Sequence, residues 1–298
     1  MKRLLEHSID SLLNMRMTRR GYLRFLIGAA GLCLGLPHSE IKANTQTARG
    51  SILEEFLGEE LTYHIGFWLI PHCGEAKARF LETKDSGVYR ASLEGRTVGV
   101  MDLLIGRYRY SYVSYLELSP AGDCLRPRRF EHTQKGRTKK LQRSVTFDYA
   151  RREITFSQVP RDGTLQEEKI PMREGLIYED YLTLFYNFRH GCYGPLQRGH
   201  TYNLPLHIHK GMTSVDLSIV PRGEEERRRH QELKKDGKEY FLRFRVNQED
   251  VSSTSGEIEG WLSREAVPMK GTIKDVILFG DLWGNLIERK IRVVPQRL

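Results

Sequence analysis

The chain lacks most of the short signatures that name a reaction. It contains no G-x-S-x-G elbow, no H-E-x-x-H pair, no G-x-x-x-x-G-K-[ST] phosphate loop and no G-x-G-x-x-G dinucleotide loop. Those absences exclude the most direct hydrolase, zinc-protease and nucleotide-enzyme readings. The acidic neighbours that do occur, Glu59-Glu60 and Glu179-Asp180, are of a kind common on surfaces. The reading is a non-enzyme with no cofactor and no metal. Long hydrophobic runs are missing too. The apolar stretch from Phe25 to Leu36 is interrupted by Gly28, Gly31 and Gly35, and it falls short of the roughly 20 residues that span a bilayer. Cysteine is scarce, with four in 298 residues and no C-x-x-C element, which removes the common redox and zinc-knuckle motifs.

What is present begins with two adjacent arginines. Arg19 and Arg20 stand in Thr18-Arg19-Arg20-Gly21-Tyr22-Leu23-Arg24, directly before the apolar stretch. A basic head, a modest hydrophobic segment and a small residue beyond it form the layout of a twin-arginine export signal. Ile41-Lys42-Ala43 places the cleavage after Ala43, and Met1 to Asn14 make an overlong head, so Met15 or Met17 stands as an alternative start. Residues 1–43 are read as this signal, forming an N-terminal helix, 44–57 as a polar leader, and 58–298 as a single β-rich domain. The expected location is the periplasm, and the first partner is the twin-arginine export machinery.

The first 43 residues carry seven basic and three acidic groups, so removing them lowers the net charge from +9 to about +5. A mild positive excess favours anionic surfaces, and peripheral membrane contact is compatible with it. Export and the absence of a recognisable binding module argue against nucleic acid. Cys73, Cys124 and Cys192 remain after cleavage. An exported compartment permits a disulfide, and small buried hydrophobes are the other reading.

From Glu59 onward the pattern is period two. Leu61, Tyr63, Ile65, Phe67 and Leu69 alternate as in a half-buried strand. Pro71 to Gly74 reads as a turn and Ala76 to Thr83 as the returning strand. Further strands are expected at 88–93, 107–118, 128–132, 141–149, 153–159, 202–209, 213–220, 240–246, 256–262, 269–279 and 286–294. The stretch 98–105 is ambiguous between strand and helix. The charge run from Arg222 to Lys238 reads as an extended hairpin connection, with a solvated helical turn, supported by Glu and Lys or Arg at four-residue steps, as the alternative. One segment breaks the rhythm: Tyr178 to Arg189 holds no Gly or Pro, and Tyr181, Leu182, Phe185, Tyr186 and Arg189 recur at helical spacing, with Gly191 as a stop. The fold class is therefore mainly β. A strongly curved antiparallel sheet or half-barrel would carry one principal α-helix on its concave side.

Candidate sites are few. His207 and His209, two apart in an expected strand, would share a face, with His190, His200, Cys192 and the His72-Cys73 pair as further ligands; the spacing matches no strong metal motif. Tyr181, Phe185 and Tyr186 on the principal helix are the groove-lining candidates for a lipid-like ligand, with core packing as the plainer alternative. The basic stretch from Arg126 to Arg143 would dock an anionic glycan or an envelope partner.

Four places resemble the bacterial exported proteins of domain-of-unknown-function family 3108: Gly58-Glu59-Glu60-Leu61-Thr62-Tyr63, Ile70-Pro71-His72-Cys73-Gly74-Glu75-Ala76, Arg143-Ser144-Val145-Thr146-Phe147-Asp148, and Asp180-Tyr181-Leu182-Thr183-Leu184-Phe185-Tyr186-Asn187-Phe188-Arg189. The resemblance covers roughly Gly58 to Val294. It implies an envelope protein with a curved β-rich sheet and brings no activity, cofactor or catalytic residues.

Overall fold

The computed structural model describes residues 50–292 except 68–69, 137–139, 160–162, 210–213, 233–236 and 278–279. The twin-arginine segment with Arg19 and Arg20, the cleavage position Ala43 and the signal helix lie outside the described residues. No described helix is long and apolar enough to cross a membrane.

The alternation builds one antiparallel sheet. Its strands are β1 (Glu59–Phe67), β2 (Ile70–Glu82), β3 (Tyr89–Thr97), β4 (Arg109–Leu118), β5 (Leu125–Lys135), β6 (Lys140–Asp148), β7 (Glu153–Val159), β8 (Gln166–Pro171), β9 (Thr201–Pro205), β10 (Ser214–Ile219), β11 (Tyr240–Arg245), β12 (Glu257–Leu262), β13 (Pro268–Val276) and β14 (Gly280–Ile291). Two meanders, β8 back to β1 and β14 back to β9, join where β1 pairs with β14. The sheet is open, with β8 and β9 at its edges. Both edge strands end in proline, Pro171 and Pro205, and β8 is charged and mostly exposed; these features discourage pairing with another chain.

The sheet bends until its two ends share one core. Phe130, Val145, Phe147 and Ile154 from β5 to β7 meet Leu204, Val215, Leu217 and Leu242 from β9 to β11. Strands so far apart in sheet order touch only if the sheet curls, as the sequence predicts.

Helix α2 (Tyr181–His190) fills the curl. The Asp180 carboxylate caps it by accepting from the Leu182 and Thr183 amides at 2.8 and 2.9 Å, and from the Ser114 hydroxyl of β4. Gly191 ends the helix at φ 91°, a left-handed conformation that suits glycine. Tyr186, 1 % exposed, packs on Phe80 of β2 and on Phe56 of the short helix α1 (Ile52–Phe56). Burying a ring of this size is worth about 1.5–3 kcal/mol. The Arg189 guanidinium clasps Glu59 through two hydrogen bonds of 2.7 and 2.8 Å, and the same carboxylate accepts from Arg289 of β14. One buried acid thus ties the plug helix to the two central strands. Asn187 hydrogen-bonds both the amide and the carbonyl of Leu125 at 2.8 Å, and the adjacent Cys124–Cys192 disulfide fastens the same corner. Cys73 is free and buried.

Three local expectations change. The reversal after β1 precedes Ile70, because Phe67 pairs with Ile70; the stretch 71–74 belongs to β2. The ambiguous stretch ends in a π-helical turn, Asp102–Gly106. The charge run does not form an extended hairpin connection: Arg222–His230 is helix α3, favoured by Glu224 and Glu225 in its first turn and basic residues in its last. The last helix, α4 (Gln248–Val251), is a single turn capped by Asn247, whose side chain accepts from the Glu249 amide at 2.9 Å.

Candidate functional site

The site lies at the seam where the two arms of the sheet face each other. Tyr112 of β4, Phe130 and His132 of β5, Arg143, Ser144 and Val145 of β6, Tyr181 at the start of α2, Ile208 and His209 beyond β9, and Asp250 of α4 line one small cavity. Its volume of about 10 Å³ is close to the room needed by one water. Alternation along β4, β5 and β6 points Tyr112, Phe130, His132, Arg143 and Val145 inward, whereas Ser144, paired with Glu131, belongs to the other face; the α4 turn brings Asp250 in from the opposite arm.

Asp250 is the hub. Its carboxylate accepts from the Tyr181 hydroxyl at 2.8 Å and faces His209 Nε2 at 2.7 Å. Arg143 stands 3.8 Å from it, and the Tyr112 hydroxyl donates to the Asp250 carbonyl at 3.2 Å. Burial pushes the Asp250 carboxyl up, but the His209 and Tyr181 hydrogen bonds and the charge of His209 outweigh it and hold the group below the usual range. His132 goes the other way. Burial lowers it to about 4, against the pull of Asp250, so the ring is neutral in neutral solution. His132 Nε2 and Arg143 Nε are both buried without a hydrogen-bond partner. The site therefore pairs an ionised carboxylate with two unspent nitrogens inside an aromatic wall.

The groove-lining candidates separate. Tyr181 reaches the cavity. Phe185 and Tyr186 pack against the core around Phe56, Phe80 and Leu116. The histidines suggested by spacing also disperse. β9 ends at Pro205, so His207 and His209 are not on one strand; His207 lies against the Tyr178 ring and His209 takes Asp250. His190 pairs with Glu55, His200 meets the Tyr202 ring edge-on, and Cys192 is in the disulfide. Arg126 and Arg128 pair with Glu117, and Arg129 with Glu131, so these three arginines of the basic stretch have partners within the sheet. Sequence reasoning passed over His132 and Asp250, and took Arg143 only as the end of the basic stretch and the start of a family motif. Nothing in the order of residues shows that the loop carrying Asp250 folds back across the seam.

No curated protein and no solved structure matches the chain. One family does, over residues 62–282: the chain belongs to the family described as "Protein of unknown function (DUF3108)".

Proposed function

We propose that the protein is an exported, periplasmic binding or accessory protein without catalytic activity, holding a hydrophobic or amphipathic envelope component at the seam. The observation that carries this reading is the pair of buried, unpartnered nitrogens, His132 Nε2 and Arg143 Nε, in a cavity walled by Tyr112, Phe130 and Tyr181. Buried polar groups without partners are costly. A ligand oxygen seated there supplies both contacts, while its apolar portion lies on the rings. The rest of the curl is filled by α2, so the ligand binds at the mouth and parts the seam to enter. The Cys124–Cys192 bond fits an oxidising compartment.

Native mass spectrometry of protein taken from the cell envelope, followed by lipid extraction, tests this. The expected result is one co-purifying amphipathic molecule per chain, lost in the Arg143→Ala, His132→Ala double variant. A chain that carries nothing, or a variant that retains the ligand in full, rejects the reading.

A catalytic alternative draws on the Asp250–His209 contact, since a carboxylate-oriented imidazole is the usual partner of a nucleophile. Hydrolysis of an envelope ester would show itself as turnover abolished by His209→Ala.

A further inference from the structure

The outer face of the sheet carries a second cluster, independent of the seam. β1 and β2 pair regularly from Glu60–Arg79 to Ile65–Gly74, and then the register jumps so that Phe67 meets Ile70. The irregularity is a bulge in β2 around Pro71 to Cys73, and bulges re-aim side chains. Strict alternation would send His72 to the face opposite Glu75. The bulge instead brings it to the face shared by His64 and Glu75, which are direct cross-strand partners. The His64 and His72 rings stack with centroids 4.1 Å apart, and His72 Nε2 lies 3.6 Å from Glu75 Oε1. One ligand atom from each of the three residues falls within 4.8 Å of the others.

The surroundings fix the carboxylate. Arg96 of β3 donates twice to Glu75 Oε2, at 2.8 and 3.2 Å, leaving Oε1 turned toward the imidazoles. Gly66, two residues beyond His64, admits the Trp283 indole so closely that a Cβ there would sit 2.3 Å from its Cζ2. The cluster is thus bordered by an oriented carboxylate and, along β1, by an indole packed on the backbone. It is open to solvent, with the His72 side chain 42 % exposed.

We infer that His64, His72 and Glu75 form a binding site for a borderline divalent transition metal, Zn²⁺ or Cu²⁺, with a fourth position open to solvent. Two imidazoles and one carboxylate suit these ions and disfavour Mg²⁺ and Ca²⁺, which take oxygen. Ligand atoms on a tetrahedral ion with bonds near 2.0–2.1 Å lie about 3.3 Å apart, so binding draws the three together by turning the exposed His72 ring out of its stack. The ion would pin the β1–β2 bulge.

The test uses the purified full chain stripped by a chelator, with Zn²⁺ followed by calorimetry and Co²⁺ by visible absorption. One ion per chain is expected, with the intense absorption of tetrahedral Co²⁺. His64→Ala and His72→Ala should each weaken Zn²⁺ binding by more than about 30-fold, with an unchanged circular dichroism spectrum. His200→Ala and His209→Ala should leave the affinity as it was. Unaltered binding in both His64→Ala and His72→Ala, loss only in His209→Ala, or no binding by the parent chain overturns the assignment. Because none of these residues touches the seam cavity, the outcome is independent of whether a ligand is found there.

Discussion

Helices α2 and α3 solve opposite problems with comparable lengths of chain. α2 is enclosed by the curled sheet and carries tyrosines, phenylalanines and leucines; its one buried cation, Arg189, is matched by Glu59 and lies 4.5 Å above the Phe56 ring. α3 is almost wholly polar and lies against the other face of β11 and β12. There Glu225 accepts from Arg198 and Arg229, Arg228 reaches Glu259, and Arg229 covers the Trp261 ring at 5.1 Å. Just beyond the helix, Glu232 accepts from Lys238, Lys270 and the Trp261 indole. The first helix is held mainly by apolar burial with one paired charge. The second is held mainly by charge networks over a single indole. Apolar burial resists salt, and so do the partly buried pairs at Glu225 and Glu259; exposed pairs such as Arg222–Glu226 are screened by it.

The sharpest way to break this comparison is at Arg189. Arg189→Ala leaves Glu59 buried with only Arg289, and the expected loss is about 3–5 kcal/mol in urea denaturation. A loss no larger than that of a surface arginine would mean α2 is not the keystone. The disulfide comes next. Replacing Cys124 and Cys192 by serine frees the corner where Asn187 grips Leu125 and should cost about 2–4 kcal/mol; an unchanged midpoint would show that the Asn187 contacts suffice.

Glu179 supplies a pH test at the start of α2. Burial raises its carboxyl to about 8 from 4.5, against a hydrogen bond from Asn187. The folded chain keeps a proton that the unfolded chain releases, so the stabilisation is full below about pH 4.5 and drains away as pH rises through about 8. Glu179→Gln, with no proton to lose, should flatten that decline and unfold later than the parent at pH 9, by on the order of 2 kcal/mol. Parallel curves for the two chains would remove Glu179 from the account. The smallest effect belongs to α3. Arg222→Ala deletes an exposed pair with Glu226 and should change stability by less than about 0.5 kcal/mol, with even that difference gone in high salt.

The same contrast explains what could be read beforehand. α2 was legible because Tyr181, Leu182, Phe185 and Tyr186 recur at helical steps while every neighbouring segment alternates. α3 was legible only as the weaker alternative, because four-residue charge steps such as Arg222–Glu226 without an apolar stripe do not outweigh a hairpin connection; its support comes from Trp261 and Phe241, distant in sequence. β8 escaped notice for a related reason. As an exposed edge strand of sequence Gln-Glu-Glu-Lys-Ile-Pro, it has only Ile170 to reveal a buried side. The seam was least visible of all. Tyr181 stood out as an aromatic and His209 as a histidine, but Asp250 joins them only once the far arm of the sheet has swung round. Sequence order carries the local period well and the closing of distant arms poorly.

The pairing of β1 with β14 has a temporal side. Glu59 and Arg289, bonded across the middle of the sheet, are 230 residues apart in the chain. A ribosome emits the first meander long before its counterpart exists, so until late in synthesis β1 presents a bare edge and Glu59 lacks the Arg189 and Arg289 it awaits. Native structure is therefore an event of the finished polypeptide. A product stopped short of Gly280 would be a sticky fragment for quality control to remove, not a smaller working version.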